Sequence, residues 1–290
     1  VGTKKAISHP VGTGPFKFVE HVNGQFLLLE TVSNHHDYSV PFKRLKFLVV
    51  PDAVTRLAML ETGEVDLAFK VLPHQAQRLK RSKNIVTKVS KSMPNINYIM
   101  LFTEKAKSEE NLFMRDPTFH KALSLAVNRD EIVKRVYLNM ASPLYGMYSY
   151  GEIGFDPSLK TPFDPQQAKK LLEKSSYKPG TPVTLTFTSA QPFGDLIGQI
   201  IQKYWSGIGV SVKLQKLDPG VFVSQVRSKN FDAVGHMALH SWGSPDPAMR
   251  LMFFYRKGSP FYRDVGANVF PNEPNRKLVE KMVMAQMMEL

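Results

Sequence analysis

The residues here able to do chemistry are few and scattered. Cysteine is absent, which removes disulfides, thiolate metal sites and Cys nucleophiles. No G-x-S-x-G elbow, H-E-x-x-H pair or phosphate-cradling Gly loop occurs, so hydrolase and transferase chemistry has no visible nucleophile or metal base. His35 and His36 are adjacent, but no carboxylate or further His follows at the i+3 or i+4 spacing that presents two ligands on one helix face. His236 and His240 do stand four apart, yet they fall on a strand and its exit, where that spacing makes no chelate. No metal or cofactor is therefore expected. What remains is a recognition loop, His240, Ser241, Trp242, Gly243, Ser244, Pro245, Asp246 and Pro247, in which an aromatic is flanked by small polar residues. Two readings are open: a ligand site at the carboxyl end of a strand, or a surface loop holding one packed Trp.

Charge narrows the choice of partner. The 290-residue chain has net charge +13, with its Lys and Arg spread along the sequence. The densest group, Arg78, Lys80, Arg81 and Lys83, sits at an expected helix end without any nucleic-acid motif. A solvated basic face, or attraction to anionic lipid heads, is the expected meaning, and nucleic acid is not an expected partner. No apolar run approaches the roughly 20 residues that a membrane span needs.

The elements that must position the loop follow from periodicity. Phe16 onwards alternates, Asn23-Gly24 makes a tight turn, and FLLLE returns, so a β-hairpin is expected. Leu45 to Val50 looks like a buried strand. Asp52 then caps a helix carrying Val54, Leu57 and Leu60, Gly63 ends it, and Val65 to Phe69 is expected as the next strand of a parallel βαβ unit. A short helix over Leu72 to Lys80, an exposed strand over Ile85 to Val89 and an alternating strand from Asn95 to Phe102 come next. Asp116, Asn128 and Asp164 each stand where a helix cap should, two of them before a first-turn proline, and Glu131 completes a capping-box spacing with Asn128. The clearest α/β run follows: strand Val183 to Phe187, a helix striped by Leu196, Ile197, Ile200, Ile201 and Tyr204, strand Val210 to Leu214, a helix from Pro219 to Arg227, and a last strand beginning near Phe231. That run delivers the chain into the Trp242 loop.

Three segments together resemble a known family. PVGTGPFKF followed by VVPDAVTRLAMLETGEVDLAF, then DPTFHKALSLAVNRDEIV, then the run ending in NFDAV, are similar in order and spacing to extracytoplasmic solute-binding proteins of peptide and nickel ABC importers, the family 5 bacterial solute-binding proteins. The chain departs from the family pattern at His120 and Lys121, where Arg-Gln is usual, and at Asn128, where Asp is usual. The resemblance implies an α/β, two-lobed periplasmic-binding-protein-like fold of type II, peptide-binding class. It further implies that N- and C-terminal portions are missing, with residues 1–96 a partial first lobe ending at the interlobe hinge and 97–290 the second lobe.

The resemblance also implies function: no enzyme activity, capture of a small-molecule or short-peptide solute in an interlobe cleft, and delivery to ABC permease subunits in the membrane. A monomer in the periplasm or another extracytoplasmic space, membrane-associated through the permease, goes with this. Ligand contacts are then expected from Trp242, Ser241, Gly243, Ser244, Asp246 and His240, from Asn97 and Tyr98 where the chain crosses between lobes, and from Tyr145 and Met147 in the Tyr- and Gly-rich stretch 141–162. For Asn97, Tyr98, Tyr145 and Met147 ordinary packing is an equally open reading. In the family's peptide binders an Asp after the FD strand pairs with the peptide amine, and here that position holds Gly243. An ammonium left without its carboxylate in a closed cleft would cost several kcal/mol, which points to a solute lacking that amine, to a nickel-chelate-binding member, or to charge supplied elsewhere. A ligand-sensing domain of a larger regulator is the second class of function the resemblance allows.

Overall fold

The computed structural model describes residues 9–88, 95–101, 109–146, 148, 150, 154–188, 193–228 and 234–240. The chain forms two compact units, Val1–Val86 and Thr87–Leu290.

In the first unit, strands β1 (Phe16–Val22), β2 (Phe26–Thr31) and β3 (Arg44–Leu48) form an antiparallel sheet in the order β1-β2-β3. The turn between β1 and β2 needs a left-handed residue, and Gly24 supplies it at φ 72°. Helix α1 (Ala53–Thr62) starts where the Asp52 carboxylate accepts the Thr55 N–H at 2.7 Å, and it closes at Gly63, φ 77°. Helix α2 (Pro73–Leu79) is tied to α1 by Gln75. Its side-chain oxygen accepts the Leu72 N–H at 3.1 Å, and its amide donates to the Ala53 carbonyl at 3.3 Å. Leu57, Ala76 and Leu79 are the buried apolar side chains of this small core.

Three expectations for this unit are corrected. The strand expected as buried is the exposed edge of an antiparallel sheet, with Phe47 and Leu48 about two-fifths accessible. Residues 65–69 form no strand, so there is no parallel βαβ unit here. The Val65 N–H is already engaged by the Met59 carbonyl in the turn that ends α1, and Leu67 and Phe69 stand in solvent. Apolar, β-branched text can propose a strand, but only a neighbouring strand can satisfy its backbone. Likewise residues 85–88 are not a strand, and Val86 is 81% exposed; Val89 lies outside the described residues.

The second unit is built on a four-stranded sheet of order β4-β7-β5-β6, with β4 (Asn95–Leu101), β5 (Pro182–Thr188), β6 (Ser211–Leu217) and β7 (Val234–His240). β5 pairs in parallel with both β6 and β7, and β4 runs antiparallel to β7. Helices α3 (Pro117–Leu125), α4 (Arg129–Arg135), α5 (Pro165–Lys174), α6 (Gly194–Gly207) and α7 (Pro219–Ser228) complete it. The core joins Phe119, Leu123 and Leu125 of α3, Val183 and Leu185 of β5, and Ile197, Ile201 and Trp205 of α6. Trp205 donates its indole N–H to the Leu123 carbonyl at 3.1 Å, satisfying a buried acceptor near the end of α3. Leu196 departs from the expected inward stripe and is 43% exposed, because the buried face of α6 runs through Ile197, Ile201 and Trp205 at i, i+4, i+8 and leaves position 196 one residue off it.

The helix starts follow the expected caps, with one difference. Asp116, Asn128 and Asp164 accept from Thr118, Glu131 and Gln167 N–H at 2.8, 2.9 and 2.8 Å. The Glu131 carboxylate does not return to Asn128 to close a capping box. It accepts the Tyr204 hydroxyl at 2.7 Å and pairs with Arg135 at 2.9 Å, locking α4 to α6. Burial, and then the bond to Glu131, pushes the Tyr204 phenol well above its ordinary range.

Candidate functional site

The carboxyl end of the second sheet is built by register. β7 begins opposite Leu185, three residues into β5, with Val234 beside Leu185 and Gly235 beside Thr186. Continuing that register, Ala238, Leu239 and His240 pass the end of β5 by about 10 Å. β4 accompanies them throughout, since Asn95 is paired with His240, Asn97 with Ala238 and Tyr98 with Met237. The β4–β7 pair therefore rises as a two-stranded wall above the ends of β5 and β6. β5 connects through α6 to β6 on one side, whereas β6 connects through α7 to β7 on the other side of β5. Such a reversal of strand order opens a crevice at the carboxyl edge, where open α/β sheets hold ligands.

Of the expected site residues, Asn97 and Tyr98 lie on β4 and His240 on its partner β7. Asn97 is two rows from His240 and at the same alternation as Asn95, the partner of His240, whereas Tyr98 is three rows away and at the opposite alternation. Asn95, not singled out from the sequence, stands directly opposite His240, and only strand pairing could have located it. Ser241, Trp242, Gly243, Ser244, Asp246 and Met147 lie outside the described residues, as do Pro245 and Pro247. The chain leaves His240 at the top of the wall, which is where the Trp242 loop begins.

Other polar groups ring the same edge. Thr188 ends β5 and is buried. Lys216 of β6 pairs with Asp195 in the first turn of α6 at 2.8 Å. Phe193, just before α6, takes the left-handed conformation at φ 61° and meets the Tyr137 ring edge-on at 5.7 Å. The amino end of α6, with no side-chain cap from Phe193, faces this edge and adds partial positive charge to it. The arrangement offers backbone and side-chain hydrogen-bonding groups and a helix dipole, which suit binding of a small polar solute.

Tyr145 stands elsewhere. Its ring lies under the Arg129 guanidinium, 5.4 Å from centroid to Cζ, at the start of α4. Burial pushes the Tyr145 phenol up, helped by the charge of Asp130, and burial pushes the Arg129 guanidinium down. Glu131, two residues from Arg129, contacts Tyr204, and Tyr204 lies about 15 Å along α6 from its amino end. Tyr145 is therefore grouped with the lower half of α6, away from the wall carrying Asn97, Tyr98 and His240.

In the first unit the adjacent histidines stack at 4.5 Å between centroids. His35 Nε2 donates to the Thr13 carbonyl at 2.7 Å and its Nδ1 accepts the Asp37 N–H at 3.2 Å, so both ring nitrogens are taken up by backbone groups. His36 lies 2.9 Å from the Asp37 carboxylate. A cavity of about 300 Å³ opens beside them, lined chiefly by Ser33, His35, His36, Asp37, Tyr38 and Ser39. Among the described residues no cluster of three His, Cys, Asp or Glu side chains could hold a metal ion, and no helix is long and apolar enough to cross a membrane.

Comparison with known proteins agrees with this architecture. The glutathione-binding protein GsiB of Salmonella typhimurium is 27% identical over 288 residues, covering 93% of this chain and 55% of GsiB. GsiB of Pectobacterium atrosepticum is 28% identical over 231 residues, covering 78% of this chain and 43% of that protein. The chain thus spans about half the length of these curated relatives. Among solved structures, NikA from Brucella suis in complex with Fe(III)-EDTA superposes with a TM-score of 0.73 at 20% identity, covering 96% of this chain and 60% of that one. DppA from Helicobacter pylori in complex with the peptide STSA gives 0.73 at 21% identity, covering 98% and 56%. These likenesses place the fold in the two-lobed type II periplasmic-binding-protein class. The profile of bacterial extracellular solute-binding proteins, family 5 Middle, matches residues 2–260, and the chain belongs to that family.

Proposed function

We propose that this chain belongs to an extracytoplasmic receptor that captures a small peptide-like solute at the carboxyl edge of the second sheet and delivers it to an ABC permease. The observation that carries the reading is the pairing of Asn95 with His240, which sets the ends of β4 and β7 side by side at the switch point of the sheet. We assign solute contacts to Asn97, Tyr98 and His240 on this wall and to Ser241, Trp242, Gly243, Ser244 and Asp246, the residues that follow His240 in sequence. Tyr145, against Arg129, belongs to a separate stretch in which Met147 follows it in sequence. The expected lobes are residues 1–96 and 97–290, and a receptor of this kind removes its solute from water by closing its lobes. The protein works as a monomer in the periplasm or an equivalent extracytoplasmic compartment, and meets the membrane only at the permease. It binds its solute without transforming it.

Gly243 refines the solute class. Gly243 places no carboxylate where an ordinary peptide α-ammonium would need one, whereas a γ-linked peptide keeps its own α-carboxylate beside its α-ammonium and so needs less charge from the protein. The GsiB relatives, named as glutathione-binding, favour the same choice. Calorimetry on this chain and on its longest natural form, with glutathione, a dipeptide and nickel with histidine as separate titrants, tests the reading. Glutathione is expected to bind at least tenfold more tightly than the dipeptide. Preference for the dipeptide or for nickel with histidine would refute the solute class, and heat from none of the three would refute the receptor reading itself.

A further inference from the structure

Among the described residues, the Arg129 guanidinium of the second unit has no counter-charge. Arg129 is half-buried, and its Nη1 and Nη2 donate to the carbonyl and hydroxyl of Ser124 at 3.1 and 2.9 Å. A guanidinium has five N–H donors. Among the described residues no carboxylate lies within ion-pair distance of it, and the remaining donors, Nε included, have no partner. The two acids that follow it on α4 are committed elsewhere or turned aside: Glu131 is held by Arg135 and Tyr204, and the exposed Asp130 acts on the Tyr145 phenol.

The surroundings have the make-up of a contact surface. Leu159 packs so closely on Gly146 that a Cβ there would stand 3.0 Å from its Cδ1, which puts Leu159 beside Tyr145. The Asp164 N–H bonds the Leu125 carbonyl at 2.9 Å and so brings Phe163 to the end of α3, where its ring lies 5.8 Å from Tyr204. Leu159 and Phe163 are nevertheless 48% and 44% exposed. Arg and aromatic side chains around an apolar centre are the groups enriched where proteins meet.

We propose that the patch formed by Arg129, Tyr145, Leu159 and Phe163 docks a protein segment that presents a carboxylate next to an apolar side chain. The carboxylate accepts from Nε and one Nη of Arg129 in the two-pronged geometry that this fork allows, and the apolar neighbour covers Leu159 and Phe163. A neutral or basic segment would bury the guanidinium unpaired, which is costly. A nucleic-acid backbone needs a run of cations, whereas the residues next along α4 are Asp130 and Glu131. No residue of the patch belongs to β4 or β7, and the proposal does not depend on which solute is bound.

The test measures binding of two fluorescent blocked peptides, acetyl-Leu-Glu-Phe-amide and its Gln counterpart, to the whole chain by anisotropy. The Glu peptide is expected to bind at least tenfold more tightly. Arg129→Gln should abolish that preference, and Phe163→Ala should weaken both peptides alike. Circular dichroism checks the fold of each variant; if Arg129→Gln does not fold, Arg129→Lys, which keeps charge but loses the fork, should reduce the preference several-fold. Equal binding of the two peptides, or a preference that survives loss of the fork, overturns the proposal. So does loss of binding in Trp242→Ala, which would put the peptides in the solute site, or equal competition by acetate alone. Absence of binding to the longest natural form of the protein would show the patch covered by its own chain, and would overturn it as well.

Discussion

Asp116 offers a direct test of how the second unit is held together, because one carboxylate performs two tasks. One oxygen caps α3 through the Thr118 N–H at 2.8 Å; the other accepts the Ser176 N–H at 2.7 Å and the Ser176 hydroxyl at 3.1 Å, sixty residues away at the end of α5. Loss of an N-cap costs about 1 kcal/mol. The bonds from Ser176 to a charged acceptor would be worth about 1.5–3 kcal/mol if buried, and solvent access to this carboxylate reduces that to about 1 kcal/mol. Asp116→Ala should therefore cost about 2 kcal/mol, and Asp116→Thr, which keeps the cap and loses the second oxygen, about 1 kcal/mol. Burial alone would raise the Asp116 carboxyl, but the bonds from Ser176 and Thr118 outweigh it and hold the group below its ordinary value. A carboxyl depressed in the folded state stabilises above its unfolded value near 3.9 and loses that contribution as pH falls through the folded one. Urea unfolding followed by far-ultraviolet circular dichroism at pH 7 and at pH 3 should show the gap between wild type and Asp116→Thr at the higher pH and a smaller gap at the lower. A Thr variant as stable as wild type at pH 7, or a gap that does not change with pH, would refute the assignment of two tasks.

Further expectations concern the core and the solute loop. Gly198→Ala places a Cβ 3.0 Å from Phe187 Cε1, and Phe187 is buried on β5, so the gain in helix propensity should be outweighed and stability should fall by about 1–2 kcal/mol in the same urea assay. Trp205→Phe leaves the buried Leu123 carbonyl without its donor and should cost about 2 kcal/mol or more; a loss under about 0.5 kcal/mol would mean that another donor replaces the indole. Trp242→Ala should weaken binding of the captured solute by about 1–3 kcal/mol in calorimetry with an unchanged unfolding midpoint, as loss of an aromatic contact does, and unchanged affinity would remove Trp242 from the site.

Local signals in the sequence determine local structure here. Asp52, Asp116, Asn128 and Asp164 announce helix starts because a short polar side chain can reach an N–H two or three residues ahead whatever the rest of the chain does. The alternation of Val183, Leu185 and Phe187 and the 3.6-residue stripe through Ile197, Ile201 and Trp205 likewise carry their faces with them. The ordered segments from PVGTGPFKF to NFDAV were enough to indicate the family. Pairing was not legible. Residues 45–50 and 65–69 have similar apolar text, yet one became the edge of an antiparallel sheet and the other no strand at all, since a strand exists only where a neighbour takes its hydrogen bonds. The second partners of Asp116 and Glu131, Ser176 and Tyr204, are sixty and more residues distant and leave no spacing signature. For the candidate site, the sequence marked His240, Asn97 and Tyr98 separately; only the β4–β7 register put them on paired strands and set Asn95 opposite His240, and Tyr145 lies under the Arg129 guanidinium. Side-chain chemistry is a property of residues, but a binding site is a property of register, and register is decided by which strands meet.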